Sequence, residues 1–203
     1  MKPLIIKASS PLAPAIKILS EGGIIAYPTE TFYGLGVDAF NAAAVERLVR
    51  LKARPGGKPI SIIIKDACVL KTVAREVPAV ATRLIERFWP GPLTIVFKAV
   101  DRLPGALTGE NATIGVRVSA DPTAGRLAAE LSMPITATSA NPSAAEPPVT
   151  AEEVLSYFRE SIDAIIDGGR LPGEMASTVV DVTDGDVRIL RAGVIGAQEL
   201  ERL

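Results

Sequence analysis

The chain has 203 residues, 48% of them hydrophobic, and a formal net charge of −1. That suffices for one sizeable α/β core and provides no overall cationic field of the kind a general nucleic-acid binder carries. Histidine is absent and Cys68 is the only cysteine, which excludes Ser-His-Asp and Cys-His nucleophile systems, histidine-ligated zinc, a histidine general base and an intrachain disulfide.

Chemistry must then rest on charge, positioning and the substrates' own groups, conditions that phosphoryl or nucleotidyl transfer tolerates best. The apolar neighbours of Cys68 predict a core residue, and a lone cysteine fits a reducing cytoplasm. The N-terminal MKPLIIKASS is too short an apolar run for a signal peptide, and no stretch is long enough to span a bilayer. A soluble cytoplasmic protein with no membrane contact is expected.

Residues Ala13 to Leu19 predict a first helix, ended by Glu21-Gly22-Gly23, and Ile24 to Tyr27 a buried strand. Pro28-Thr29-Glu30-Thr31-Phe32-Tyr33-Gly34-Leu35-Gly36 then reads as a loop that mixes hydroxyls, a carboxylate and aromatic faces. That mixture suits either a small-molecule pocket or a turn with Phe32 and Tyr33 as core plugs. Asn41 caps a helix whose apolar positions are Val45, Leu48 and Val49, and Ile60 to Ile64 is a short β-branched strand.

Between that helix and strand, Lys52, Arg54 and Lys58 bracket a Pro-Gly-Gly turn. Cations there either complement the helix dipole in solvent or line the rim of a sheet where a polyanion binds, with Gly56 and Gly57 allowing close backbone approach. The turn is not a P-loop, because Pro59 follows the lysine where Ser or Thr would bind magnesium.

Pro78 opens a helix with Val80, Leu84, Ile85 and Phe88 as its buried stripe. Trp89-Pro90-Gly91-Pro92 breaks it, with Trp89 as a packing anchor, and Leu93 to Ala99 is a strand. From Thr113 to Ser119, Ile114, Val116 and Val118 share one face, while Thr113, Gly115, Arg117 and Ser119 share the other. Arg117 beside a glycine marks either room for a bound group or a plain solvated face.

Asp121-Pro122 starts a helix through Leu131, Ile135 to Ala137 is a strand, and Thr138-Ser139-Ala140-Asn141-Pro142 is a turn rich in polar groups. Ala144 to Pro148 looks like flexible linker, and Thr150-Ala151-Glu152-Glu153 is a capping box. Ala164 to Asp167 is a strand, and Asp184-Gly185 joins two more, Ser177 to Thr183 and Val187 to Arg191. No repeat or composition shift marks a boundary, so one domain over residues 1–203 is expected.

Seven segments in order, PTETFYGLG from Pro28, KARPGGKP from Lys52, WPGPLT from Trp89, TIGVRV from Thr113, TSANPS from Thr138, STVVD from Ser177 and ILRAG from Ile189, give the chain a nearly end-to-end resemblance to the YrdC/Sua5 family. These are threonylcarbamoyl-AMP synthases, which start threonylcarbamoyladenosine formation in tRNA. The resemblance implies an α/β fold with a twisted, mixed-direction sheet, packed helices and a large concave site. It also implies a nucleotidyltransferase that makes threonylcarbamoyl-adenylate and pyrophosphate from L-threonine, bicarbonate and ATP.

By the same resemblance the ATP contacts fall on Arg54, Lys58, Thr113, Ser139, Asn141 and Arg191, the threonine contacts on Thr31, Arg117, Ala137 and Ser177, and the catalytic cations are Lys52 and Arg54. Mg2+ is expected to arrive with ATP rather than in a protein-built cage. Glu30 fits either a basic or a structural role. Ile63, Ser119-Ala120-Asp121, Pro147 and Ala192 depart from the family pattern, and Pro147 removes a serine hydroxyl from the ATP side. With the sequence ending at Leu203, the extra C-terminal domain of longer members is expected to be absent. Rival readings are an RNA-binding module and a paralogue acting on another acyl acceptor; RNA or tRNA-modification proteins are the possible partners.

Overall fold

Ile24 to Tyr27 is apolar at every position, and both of its faces are used: Ile24 and Ala26 pack into one core, Ile25 and Tyr27 into a second. An unbroken apolar run is what a strand covered on both sides requires. The computed structural model describes residues 2–53 and 59–200.

In chain order the elements are β1 (Leu4–Lys7), α1 (Ala13–Ser20), β2 (Ile25–Tyr27), β3 (Gly34–Gly36), α2 (Ala42–Leu51), β4 (Ile62–Ile63), a 3-10 helix (Ala67–Thr72), α3 (Ala79–Phe88), β5 (Leu93–Lys98), α4 (Gly105–Thr108), β6 (Thr113–Arg117), α5 (Pro122–Leu131), β7 (Ile135–Thr136), β8 (Thr138–Ser139), α6 (Ala151–Phe158), β9 (Ala164–Asp167), β10 (Thr178–Asp181), β11 (Arg188–Arg191) and α7 (Ala197–Leu200).

Among the described residues the strands form two sheets rather than one, in the orders β1-β9-β2-β3-β8 and β11-β10-β5-β6-β4-β7. Both are mixed in direction, as expected: β1 and β2 run parallel to β9, while β2/β3 and β5/β6 are antiparallel. The larger core gathers Leu35 and Ile165 from the first sheet, Ile95 and Val116 from the second, and Leu48 of α2, Leu84 of α3 and Phe158 of α6. The smaller core packs Leu19 of α1 and Leu127 of α5 against Tyr27, Ile63 and Ile166. No helix among the described residues is long and apolar enough to cross a membrane.

Three helix starts follow from their capping residues. Asn41 Oδ1 accepts the Ala44 N–H at 3.1 Å, Asp121 Oδ1 accepts those of Thr123 and Ala124 at 2.8 and 3.0 Å, and Thr150 Oγ1 accepts that of Glu153 at 3.2 Å. Each such cap contributes about 1 kcal/mol.

Several local expectations are corrected. The end of the segment read as a loop, Gly34–Gly36, is strand β3, because it pairs with both β2 and β8. Thr138–Ser139 is likewise strand β8 and not part of a turn. Cys68 is exposed. Asp66 caps the 3-10 helix through the Cys68 N–H, and the tight three-residue period then turns Leu70 inward and Cys68 out. In α3 the fully buried positions are Ala81 and Leu84, with Val80, Ile85 and Phe88 only partly covered. The linker-like segment from Ala144 to Pro148 is pinned: its carbonyls accept from Asn141 Nδ2, from the Tyr157 hydroxyl at 3.1 Å and from the Tyr33 N–H at 3.0 Å.

Candidate functional site

Continuing the antiparallel register Ile95↔Val116 by one step sets Thr94 opposite Arg117. The core takes Ile95, Phe97, Ile114 and Val116, so the alternate residues Thr94, Gly115 and Arg117 face the other way. That polar face is the floor of a cavity of about 220 Å³. A Cβ at Gly115 would lie 2.7 Å from Ser61 Oγ and 3.0 Å from Thr94 Cγ2, so glycine lets these two lining side chains pack down over it. The wall comes from the other sheet and its loops, including Thr29, Thr31, Phe32 and Ser139.

Among the described residues two guanidinium groups line this cavity. Arg117 has a side chain only 7% exposed and pairs with Glu30 at 3.2 Å, Nη1 to Oε1. The solvated-face alternative for Arg117 therefore fails. Glu30 also accepts a hydrogen bond from the Ser119 hydroxyl, which in turn accepts the Asp121 N–H at 3.2 Å. The pair's contact is electrostatic more than directional, since neither Glu30 Oε1 nor Arg117 Nη1 finds a hydrogen-bond partner among the described residues. Burial raises the Asp121 carboxyl above its ordinary range, the N–H groups of Ala124 and Thr123 pull it back, and the charge of Glu30 adds to the rise.

Arg191 is an exposed residue by area, yet its head is clamped. Nε and Nη2 donate to the Ser177 carbonyl at 3.1 and 2.8 Å, and Nη2 also donates to Ser177 Oγ at 3.0 Å. Gly193 permits the approach, because a Cβ there would sit 2.3 Å from the Ala176 carbonyl oxygen. Burial of the guanidinium head, then repulsion from Arg117, lower its pKa from the ordinary arginine value. Ser177 Oγ lies 3.1 Å from Thr94 Oγ1, so one hydroxyl joins the arginine to the cavity floor.

The expected threonine contacts Thr31, Arg117, Ala137 and Ser177 all line the cavity, with Ser139 and Arg191 from the expected ATP set. Ala137 contributes backbone, its N–H donating to the Ser61 carbonyl at 2.7 Å. Thr113 does not line the cavity; it is partly exposed on the same strand face, about 13 Å from Arg117 at the usual rise per residue. Asn141 is buried behind the wall, where its Oδ1 finds no hydrogen-bond partner among the described residues. Arg54 and Lys58, with the Pro-Gly-Gly turn, lie outside the described residues.

Lys52 departs from the solvated helix-end alternative. It is 3% exposed, and Nζ donates to the carbonyls of Ser139 at 2.5 Å and Asn141 at 2.7 Å. Its main-chain carbonyl receives the Ser143 N–H and hydroxyl. It does not line the cavity; it anchors the end of β8, where Ser139 does, and the turn behind it.

Sequence reasoning passed over Ser61 and Thr94, single hydroxyls in apolar surroundings that line the cavity, and took Thr29 only as one hydroxyl of the Pro28 loop. The alternation within β5 was the available signal for Thr94. Tyr33 lines the cavity too, but its hydroxyl donates to the Gly169 carbonyl at 2.8 Å and accepts the Gly168 N–H at 3.0 Å. Burial pushes its pKa up to about 12, so it stays neutral. Among the described residues no group of three or more acidic, histidine or cysteine side chains is placed to hold a metal ion.

The Sua5/YciO/YrdC family profile, described as "Telomere recombination", matches residues 17–193. A threonylcarbamoyl-AMP synthase of Pyrococcus abyssi is 39% identical over 189 residues, 93% of this chain and 56% of that protein. A synthase of the same name from Halorhodospira halophila is 41% identical over 155 residues, 76% of this chain and 81% of that protein. The crystal structure of P. abyssi Sua5 complexed with L-threonine superposes with a TM-score of 0.94 at 36% identity, covering 100% of this chain and 60% of that one. The chain thus spans little more than half the length of the Pyrococcus relative. Because the family profile runs through every wall of the cavity, from the Pro28 segment to Arg191, the chain belongs to the Sua5/YciO/YrdC family.

Proposed function

We propose that the chain is an L-threonylcarbamoyladenylate synthase, a nucleotidyltransferase acting on L-threonine, bicarbonate and ATP in tRNA modification. The observation that carries this reading is the convergence of Thr31, Arg117, Ser177 and Arg191, from four separated segments, on one small polar cavity. The reading draws further support from the synthase relatives and from the Sua5 structure that holds L-threonine.

In this reading Arg117 receives the amino acid's carboxylate, a charge-assisted contact strengthened by burial. A volume of about 220 Å³ leaves no room for threonine and ATP together, which supports a nucleotide seated at the rim near Ser139 and Arg191, with Thr113 as an outer contact. The threonine amine attacks bicarbonate, water leaves, and a carbamate forms. A carbamate oxygen then attacks the α-phosphorus of ATP, the bond to the β,γ-phosphates breaks and pyrophosphate departs.

Arg191, with Arg54 and Lys58, supplies positive charge where negative charge accumulates. Holding the reactants together is worth roughly 7 to 11 kcal/mol when they are well aligned. Glu30 is engaged by Arg117 and Ser119, which supports a structural role for it over proton transfer. Mg2+ would be carried by the triphosphate, whose charge it neutralises; no residue is assigned to hold it. The test is pyrophosphate release with ATP, Mg2+ and bicarbonate, comparing threonine, serine and no amino acid. Threonine-dependent release is expected, and release independent of any amino acid would overturn the reading.

A further inference from the structure

Three groups of one short segment meet at a single hydroxyl. Thr29 is 3% exposed and lines the cavity beside Thr31. Its Oγ1 lies 2.7 Å from the Phe32 carbonyl oxygen, 3.2 Å from the Thr31 amide nitrogen and 3.2 Å from Thr31 Oγ1. A hydroxyl offers one proton and two lone pairs. The Phe32 carbonyl can only accept, so the Thr29 proton is committed to that shortest contact. The Thr31 amide can only donate, and it occupies one lone pair. In the third contact Thr29 must therefore accept, and the Thr31 hydroxyl gives its proton to Thr29. Thr31 Oγ1 is left with lone pairs and no proton for the cavity.

We propose that Thr29 is a positioning residue that fixes the Thr31 hydroxyl as a hydrogen-bond acceptor, so that the ligand group seated against Thr31 is a donor. The inference rests on the reading of this cavity as an amino-acid site. It divides the cavity by polarity: Arg117 and Arg191 can only donate and take the carboxylate and phosphate oxygens, while Thr31 takes a donor. On threonine that donor is the α-amino group or the β-hydroxyl. A carbamate nitrogen keeps one N–H, so the same polarity is satisfied before and after the amine reacts. A carboxylate oxygen at Thr31 would set two acceptors against each other.

The test is calorimetric binding to wild type, Thr29→Val, Thr29→Ser and Thr31→Val. The ligands are L-threonine, (R)-3-hydroxybutanoate, which lacks the amine, and L-2-aminobutanoate, which lacks the hydroxyl. In wild type, deleting the donor that Thr31 reads weakens binding about tenfold or more. In Thr29→Val the same deletion weakens binding less than about threefold, because the freed Thr31 hydroxyl can turn and donate.

Thr29→Ser keeps the wild-type pattern, and the analogue whose penalty collapses identifies the group. Thr31→Val removes the acceptor itself and collapses the same penalty, an arm that does not depend on the Thr29→Val variant folding. Penalties unchanged in either valine variant, or no penalty for either analogue in wild type, overturn the proposal while leaving the amino-acid site standing. A wild-type protein that binds no threonine overturns both.

Discussion

Replacing Lys52 by methionine separates a structural tether from a group acting in the cavity. The side chain is buried over its whole length, so methionine keeps most of the stem's packing and deletes the ammonium. Lost with it, among the described residues, are the charge-assisted hydrogen bonds to Ser139 at 2.5 Å and Asn141 at 2.7 Å, each worth about 1.5 to 3 kcal/mol. Water entering beside the two carbonyls would recover part of that, which leaves a net loss of about 3 kcal/mol. For a domain of this size each kcal/mol lowers Tm by roughly 2 to 4 °C, so a drop of about 6 to 12 °C is expected. Because Ser139 lines the cavity, the loosened turn should also weaken threonine binding. Thermal melts with and without threonine provide the assay. A Tm within about 2 °C of wild type would refute the tether, whatever happened to turnover.

Glu30→Gln keeps the shape of its side chain but leaves Arg117 buried without its counter-charge, so a loss of about 3 to 5 kcal/mol is expected in urea unfolding. A double Glu30→Met, Arg117→Met variant should recover much of that stability while losing threonine binding. Gly115→Ala would press a methyl group against Ser61 Oγ at 2.7 Å and Thr94 Cγ2 at 3.0 Å, displacing two cavity-lining side chains, and should weaken threonine binding in calorimetry at a stability loss of about 1 to 3 kcal/mol. For Asp181, burial raises the pKa, but the Thr183 N–H and hydroxyl and the Arg188 guanidinium together outweigh it and hold the value below the ordinary 3.8. The carboxylate therefore adds stability above that ordinary value and loses it as pH falls through the lowered one. Asp181→Asn should flatten the acid limb of the stability curve, followed by urea melts between about pH 2.5 and 6.

What the sequence made legible was local. Asn41, Asp121 and Thr150 announced their helices because a cap and its N–H partners lie within four residues. The alternation from Thr113 to Arg117 announced which face was polar, since a strand's period needs no distant information. Burial of charge was illegible for the opposite reason. The carbonyls that hold Lys52 are 87 and 89 residues away, and no window around a helix end reports them. Arg117 looked equally plausible as a solvated residue until Glu30, from the other sheet's loop, closed over it. Cys68 was misjudged because apolar neighbours indicate average burial, whereas the phase of a 3-10 turn decides which residue points inward. Thr94 was signalled only by the alternation within β5, and Thr29 only as one hydroxyl of a loop whose mixed composition suits a pocket or a turn alike.

The same contrast bears on how a cavity without histidine could run proton-coupled chemistry. Its described ionisable lining consists of Arg117, Arg191 and Tyr33. Guanidinium groups keep their charge at any physiological pH, and burial takes the Tyr33 phenol up to about 12. Protons therefore have no described lining group to visit near neutrality, and Glu30 is committed to holding Arg117 behind the wall. In the proposed reaction this is no defect. The ammonium gives one proton to solvent before it attacks, a second leaves in the water formed from bicarbonate, and the departing pyrophosphate requires charge stabilisation rather than protonation. In that reaction a fixed positive field, built from arginines held by Ser177 and Glu30, would supply this stabilisation without reorganising.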